Sequence, residues 1–277
     1  MSFAKRIFNF YIFSNLHVAL ATFSLVKITL LTYGIKDDLV PFFVFFATLA
    51  SYNFIRLYTI DTIQDWFFQF IKMNKKSIVG LTLASALLVV YLGFLLRLQA
   101  LIALIPFGVF TLFYVIPFPM QKKNRVTLRS FAFLKLFLIA ISWAGVTVLI
   151  PLLHYNIAIG QSEMLIFMQR FLFILVITLP FDIRDVNYDK DTLKTLPQVL
   201  GIPKAKRIGL LFLMLFLGIE LFKHTLLNSN QFRVHLIVAL LSLFFLFRAK
   251  QNQNNYYSAF FVESLPIFWL LLFSVFL

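Results

Sequence analysis

The sequence predicts an all-α integral membrane protein, a bundle of about nine transmembrane helices forming one polytopic domain over residues 1–277. Three observations carry that expectation. First, 61% of the residues are hydrophobic and only 13% are charged, against about 25% charged in a soluble domain. Second, apolar runs of roughly 20 residues, long enough to cross a bilayer, recur along the whole chain. Third, the junctions between runs collect charge, Asn and Pro, as in GIKDD, MNKKS, PFPMQKKNR and KQNQNN. A soluble protein of this composition would lack the polar surface to cover its outside.

Taken in order, the expected helices are roughly 11–33, 38–58, 77–96, 99–118, 130–153, 163–182, 207–225, 232–249 and 257–277. The first opens in MSFAKRIFNFYIFSNLHVALATF. It reads as a membrane helix rather than a signal peptide, because no small-residue cleavage site interrupts it and the apolar run continues too far. The second starts after GIKDD, the third after MNKKS, and the fourth runs into PFPMQKKNR. The sixth ends in a cluster of aspartates, the eighth in KQNQNN. With the N-terminus in the cytoplasm, the N-terminal segment and the alternate junctions hold about 19 of the 25 Lys and Arg residues, the bias that the positive-inside rule describes. The opposite junctions hold Lys36, Arg97, Lys223 and Arg233, while Lys27 and Arg170 lie within spans. This orientation leaves the C-terminus on the far side. It also accounts for the net charge of +14 without a nucleic-acid partner. The chain has no cysteine, which excludes disulfides and Cys-based metal or redox sites.

The aspartate cluster carries the chemistry. LPFDIRDVNYDKDTLKTLP places Asp182, Asp185, Asp189 and Asp191 at the end of the sixth segment, in a chain with only 11 acidic residues. On a helix turning about 100° per residue, Asp182, Asp185 and Asp189 fall within roughly a 60° arc. Carboxylates so placed repel each other unless a cation sits among them. Oxygen-only ligands suit Mg²⁺, which binds through one or two carboxylates plus substrate phosphates. The plain alternative is a solvated acidic junction.

The stretch DIRDVNYDKDTLKTLPQVLGIPKAK resembles the second aspartate-rich motif of the UbiA superfamily of membrane prenyltransferases. The matching residues are Asp182, Asp185, Asp189, Lys190, Lys194, Thr195, Leu196, Pro197 and Gly201. A Gly usual before Thr-Leu-Pro is absent, and that segment is about one residue shorter. The junction after the fourth helix resembles the family too, through Tyr114, Pro117, Phe118, Lys122 and Lys123, and Lys135 resembles the Lys that opens the fifth helix. The first aspartate-rich motif is incomplete. In SYNFIRLYTIDTIQDWF, aligning Asn53 with the family Asn puts Leu57 on the first required Asp and Asp61 on the second. A register four residues along uses Asp61 and Asp65 instead. The first helix also departs, having Asn15 and His17 where many members carry an Arg.

What the resemblance implies is a UbiA-like bundle around a central lipophilic cavity, and Mg²⁺-dependent transfer of a prenyl group from a prenyl diphosphate to a lipophilic, often aromatic, acceptor. Asp185, Asp189 and Asn53 would be catalytic, with Asp182 and Asp61 joining them as metal ligands. Arg184, Lys122, Lys123, Lys135 and Tyr114 would hold the diphosphate. Asp65, His17 and Lys27 are weaker candidates, as is Glu263 for acceptor binding or proton removal. His17, Ser24 and Lys27 form a polar stripe, and Lys27 deep in a span either reaches the site or snorkels outward. A second hypothesis keeps the fold and drops the transfer, giving an isoprenoid-binding protein with a depleted metal site. A third is a transporter in which Lys27, Arg170 and Glu263 meet near the midplane. The compact form suggests a bacterial inner membrane.

Overall fold

A computed structural model of the chain describes residues 2–59, 65–116, 134–187, 195–223 and 229–276. These residues hold helices and no strand. The helices are α1 (Phe3–Phe13), α2 (Leu16–Thr32), α3 (Leu39–Tyr58), α4 (Asp65–Gly93), α5 (Leu98–Val115), α6 (Leu134–Ala144), α7 (Ile150–His154), α8 (Gln161–Asp185), α9 (Leu196–Leu200), α10 (Ile202–Phe222), α11 (Ser229–Arg248) and α12 (Leu265–Phe276). A π-helical turn, Gly145–Leu149, joins α6 to α7, and another, Tyr257–Val262, precedes α12.

Among the described residues six helices are long and apolar enough to cross a membrane, or seven when the bent pair α1–α2 counts as one span. Each of the nine expected segments overlaps a helix, but length and apolarity do not qualify all of them as spans. The protein is an integral membrane protein in which large apolar side chains such as Phe94, Leu98 and Val275 face outward, the reverse of a soluble surface.

Two expected boundaries change. The first segment is not one helix: α1 and α2 meet at an angle of 54°. The break is at Asn15, whose φ of 67° is left-handed, a conformation that Asn tolerates better than most residues. The segment expected from residue 77 begins instead at Asp65. Its Lys72, Lys75 and Lys76 read as a junction, yet Phe67, Phe70 and Ile71 recur at helical spacing and pack around Phe13. Phe13 meets Trp66, Phe67 and Phe70 edge to face, so the apolar stripe keeps this stretch helical.

α8 and α2 lie at the centre of the bundle. α8 packs against α6, α10 and α11, while α2 packs against α3 and α12. The inner faces of α8 bury Phe173, Ile174, Leu175, Val176 and Leu179. At one end of α8, Glu163 accepts hydrogen bonds from Tyr33 and from the Gly160 N–H, both at 2.8 Å. Nearby, Tyr155 donates to Asp37 at 2.5 Å, and that bond holds the Asp37 carboxyl below the usual carboxylate range.

The Thr-Leu-Pro motif has a local structural reason. Gln198 accepts the Thr195 N–H at 2.9 Å and donates to the Val186 carbonyl at 3.2 Å. α9 is thereby tied to the end of α8, with Pro197 in the first turn where a missing N–H costs nothing. Gly201, at φ +81°, turns the chain into α10.

Gly145 is a close approach. A Cβ there would lie 2.0 Å from the Phe107 ring, so Gly145→Ala must displace that ring. Overpacking of this kind costs about 1–3 kcal/mol. The expected outcome is a lowered midpoint of thermal unfolding in detergent, recovered in part when Phe107→Leu is added.

Candidate active site

A cavity of about 540 Å³ opens between α1–α3, α5, α6, α8 and the segment before α12. Its walls differ along their length. Phe43, Val44, Leu104, Phe107, Leu138 and Ile174 form an apolar chamber, and Tyr52, Arg56, Lys135, Asp182, Arg184, Asp185 and Glu263 line the polar part. The last turn of α8 supplies two of the carboxylates, because residues three apart on a helix share a face.

Asp182 is 1% exposed and pairs with Lys135 of α6 at 2.8 Å. Asp185 takes two bonds from its neighbour Arg184, from Nε at 2.8 Å and Nη2 at 3.0 Å. Both cations also offset the negative end of the α8 dipole. Lys135 and Arg184, expected as diphosphate contacts, are thus engaged with carboxylates here, while lining the same cavity. α8 ends at Asp185, followed by a turn at Val186–Asn187. The continuation that would place Asp189 on the same face lies outside the described residues. Asp189 itself, like Asp61, Lys122 and Lys123, lies outside the described residues. Tyr114 falls in α5 and Asp65 opens α4, with side chains outside those described.

Asn53 is buried but is not on the cavity wall. Its Oδ1 accepts a 2.7 Å hydrogen bond from Nδ2 of Asn15, and Asn15 lines the cavity. The bend between α1 and α2 produces this arrangement, since it turns Asn15 toward α3. Leu57, at the position where the family motif requires an aspartate, packs with the Phe13–Phe67 cluster. Arg56 faces the cavity instead, its guanidinium 4.6 Å from the Phe67 ring centroid. Sequence reasoning passed over Arg56 because it counted only toward the basic side of the membrane. Its position inside the last turn of α3 was the available signal. Tyr52 and Trp143 were also passed over: the Trp143 indole donates to the Tyr52 hydroxyl at 3.1 Å, fixing two aromatic walls.

Other candidates are placed elsewhere. His17 is held by Tyr11 at 2.8 Å and by Phe260 O and Ser264 at 3.1 Å. It is a fully engaged interior residue beside the cavity rather than in it. Ser24 donates to the Leu20 carbonyl of its own helix. Lys27 sits at the opposite end of the bundle, paired with Asp38 and donating to the Lys36 and Asp37 carbonyls. A diphosphate or acceptor contact at the α8 carboxylates is out of its reach. Arg170 lies fifteen residues before Asp185, roughly 22 Å along a helix. It donates to the Leu25 carbonyl and stacks on Trp269. Lys27, Arg170 and Glu263 therefore do not meet, which removes the arrangement that a transporter reading requires. Glu263 does line the cavity.

The chemistry of the donor set bears on magnesium. Among the described residues no three His, Cys, Asp or Glu side chains come close enough to hold a metal ion. Two carboxylates, Asp182 and Asp185, nevertheless line one polar wall, and Mg²⁺ is commonly held by one or two carboxylates completed by phosphate and water. By formal count, Arg56, Lys135 and Arg184 on the cavity wall are matched by Asp182, Asp185 and Glu263. A multiply charged diphosphate entering such a site would need cations to accompany it. The residues present fit that role.

The fold and site define an integral membrane protein with a lipophilic chamber and a charged, carboxylate-bearing wall. No protein-family model and no curated protein sequence matches the chain, but solved structures do. A UbiA homologue from Archaeoglobus fulgidus bound to GPP and Mg²⁺ matches with a TM-score of 0.66 at 12% identity, over 95% of this chain and 98% of that one. A UbiA homologue from Archaeoglobus fulgidus bound to DMAPP and Mg²⁺ matches at 0.63 and 12%, over 93% and 95%. Digeranylgeranylglyceryl phosphate synthase matches at 0.58 and 15%, over 98% of both chains. The chain has the UbiA membrane prenyltransferase fold, and at these identities the likeness is one of fold.

The buried pair yields a test of the wall's construction. Breaking a buried ion pair from one side costs about 3–5 kcal/mol, whereas replacing both partners with apolar groups is often neutral. Lys135→Met is expected to destabilise the protein strongly, and Lys135→Met combined with Asp182→Leu to recover most of the loss, as read by thermal unfolding in detergent.

Proposed function

We propose that this protein is a Mg²⁺-dependent prenyltransferase that moves a prenyl group from a prenyl diphosphate to a lipophilic acceptor with an aromatic ring. The observation that carries the reading is the single cavity in which an apolar chamber abuts the Asp182–Asp185 wall. The fold shared with UbiA homologues whose structures contain GPP or DMAPP together with Mg²⁺ supports it.

In this reading Asp182, Asp185 and Asp189 hold the metal, with Asp61 contributing from beyond α3 and Asn53 acting through Asn15. Bound Mg²⁺ would supply the charge that lets the diphosphate leave. With a metal held by the carboxylates, Lys135 and Arg184 would be available to hold the phosphate oxygens, joined by Lys122, Lys123 and Tyr114. The apolar chamber lined by Phe43, Leu104 and Phe107 holds the isoprenoid chain and excludes water, which strengthens every electrostatic contact at its charged edge. Tyr52 and Trp143 offer aromatic faces to the acceptor or to an allylic cation. Glu263, in the same cavity, accepts the proton that the acceptor loses. The Lys and Arg bias supports placing the N-terminus and the site on the cytoplasmic side, in a bacterial inner membrane.

A second reading has its own observation. Leu57 is packed away from the cavity, so the α3 side lacks the carboxylate that the motif requires. A protein so built could bind isoprenoid diphosphates without transferring them.

The two readings separate on purified protein. The expected result is Mg²⁺-dependent binding of a prenyl diphosphate and release of diphosphate in the presence of an aromatic acceptor. Asp185→Asn should lower release by at least ~100-fold, on the order of the loss seen when one charge-stabilising group is removed. Binding with no release across a panel of acceptors would favour the lipid-binding reading. Absence of Mg²⁺-dependent binding would remove the metal from the argument.

A further inference from the structure

The polar wall contains six charged side chains in two states. Lys135 and Arg184 are each committed to a carboxylate of α8. Arg56 makes no hydrogen bond or ion pair among the described residues. Its contact is the Phe67 ring, 4.6 Å away, and the charged groups that act on it most strongly are Arg184, Glu263 and Asp185. A guanidinium held over an aromatic ring by cation–π attraction does not spend its N–H groups on that contact. The same helix turn explains why Arg56 is there. Residues 56 and 57 point about 100° apart on α3, and Leu57 has gone into the apolar cluster with Phe13 and Phe67. The face of α3 presented to the cavity is therefore cationic at the level of Asp185.

We propose that Arg56 contacts the diphosphate directly, supplying from α3 by a guanidinium the positive charge that Leu57, packed away from the cavity, cannot recruit through a metal. This deepens the prenyl-diphosphate reading above and rests on it. The planar fork of an arginine matches two phosphate oxygens at once, which a lysine does not. The substrate would be gripped between unlike halves: carboxylates with their metal on α8, and a bare guanidinium on α3. The pocket would then select an anionic head group on a lipophilic chain rather than the chain alone.

The test compares two ligands of the same chain length on the full-length protein in detergent or nanodiscs. One is geranyl S-thiolodiphosphate, which resists ionisation, and the other is the neutral geraniol. Arg56→Met is expected to weaken thiolodiphosphate binding by at least ~30-fold, the scale of truncating one partner of a desolvated charge pair, and to leave geraniol binding unchanged. The binding that remains should still require Mg²⁺, since the α8 carboxylates are intact. Arg56→Lys keeps the charge and the stem but not the fork, and should weaken thiolodiphosphate binding by about threefold to tenfold. That variant decides the matter if Arg56→Met does not fold. Unchanged thiolodiphosphate affinity in both variants overturns the proposal. Equal losses for the two ligands also overturn it, because Arg56 would then only shape the chamber. A wild-type protein that binds geraniol but no diphosphate with Mg²⁺ would instead overturn the prenyl-diphosphate reading itself.

Discussion

Desolvation of charge is the constraint on which the rest of this structure depends. An ionisable side chain in the bilayer interior must face other protein or a water-filled space, since lipid offers it no partner. α8 packs against α6, α10 and α11 and carries charged groups toward both of its ends. Each of these dictates what the neighbouring helix supplies. Asp182 requires Lys135 from α6. Arg170 requires the Leu25 carbonyl and Thr29 from α2, Thr147 from the π turn, and the Trp269 ring from α12. These contacts fix α2, α6 and α12 around α8 as firmly as apolar packing does.

The two ends meet the constraint in different ways, and the difference separates structure from function. Toward the start of α8, Glu220 of α10 accepts from Gln169 at 2.6 Å and from Lys223 at 3.2 Å, and lies 3.0 Å from His235 Nδ1. Lys223 also donates to Gln169. Donors and acceptors of three helices close on each other there, as in a buried polar network that specifies packing. At the other end the charges face the cavity of about 540 Å³, and Arg56 and Glu263 line it. Charges held in a cavity without partners stabilise nothing by themselves.

The bundle and its carboxylate-bearing end were legible in the sequence because both rest on one-dimensional signals. Apolar run length reports a span, and Asp182 and Asp185 stand out against a chain nearly free of acid. The Thr-Leu-Pro-x-x-x-Gly pattern likewise encodes a local structure, a capped short helix with a left-handed turn at Gly201. What the sequence did not reveal depends on which face of a helix meets which neighbour. Asn53 and Arg56 are three residues apart in α3, and no periodicity says that the Asn lies behind Asn15 while the Arg opens on the cavity. That outcome follows from the kink at Asn15, whose left-handed backbone is a tertiary property. For Lys27, deep in a span, the sequence left two outcomes open, reaching the site or snorkelling outward, and the structure shows the second. Its four methylenes carry the ammonium to Asp38, where the loop carbonyls also meet it. The long α4 was missed because three lysines in a row of apolar residues look like a junction, although they occupy the outer face of a helix whose inner face is Phe67, Phe70 and Ile71.

The two π-helical turns complete the argument, because they deform the helices beside the site. A π turn inserts one residue into a helix and shifts the register of everything after it, and such turns concentrate at functional sites. Gly145–Leu149 contributes Val146 and Thr147 to the cavity wall, and Gly145 lets the Phe107 ring close the chamber at a distance that no Cβ would allow. Tyr257–Val262 contributes Ala259 and is followed at once by Glu263. In that turn Phe260 offers its carbonyl to His17, and Ser264, just past it, holds both His17 and the Phe260 carbonyl. His17 therefore acts at one remove: by pinning the carbonyl of the π turn it fixes the register that delivers Glu263 to the cavity. Of the two polar residues at this end of the bent pair, His17 positions the last helix, while Asn15 is tied to Asn53 of α3.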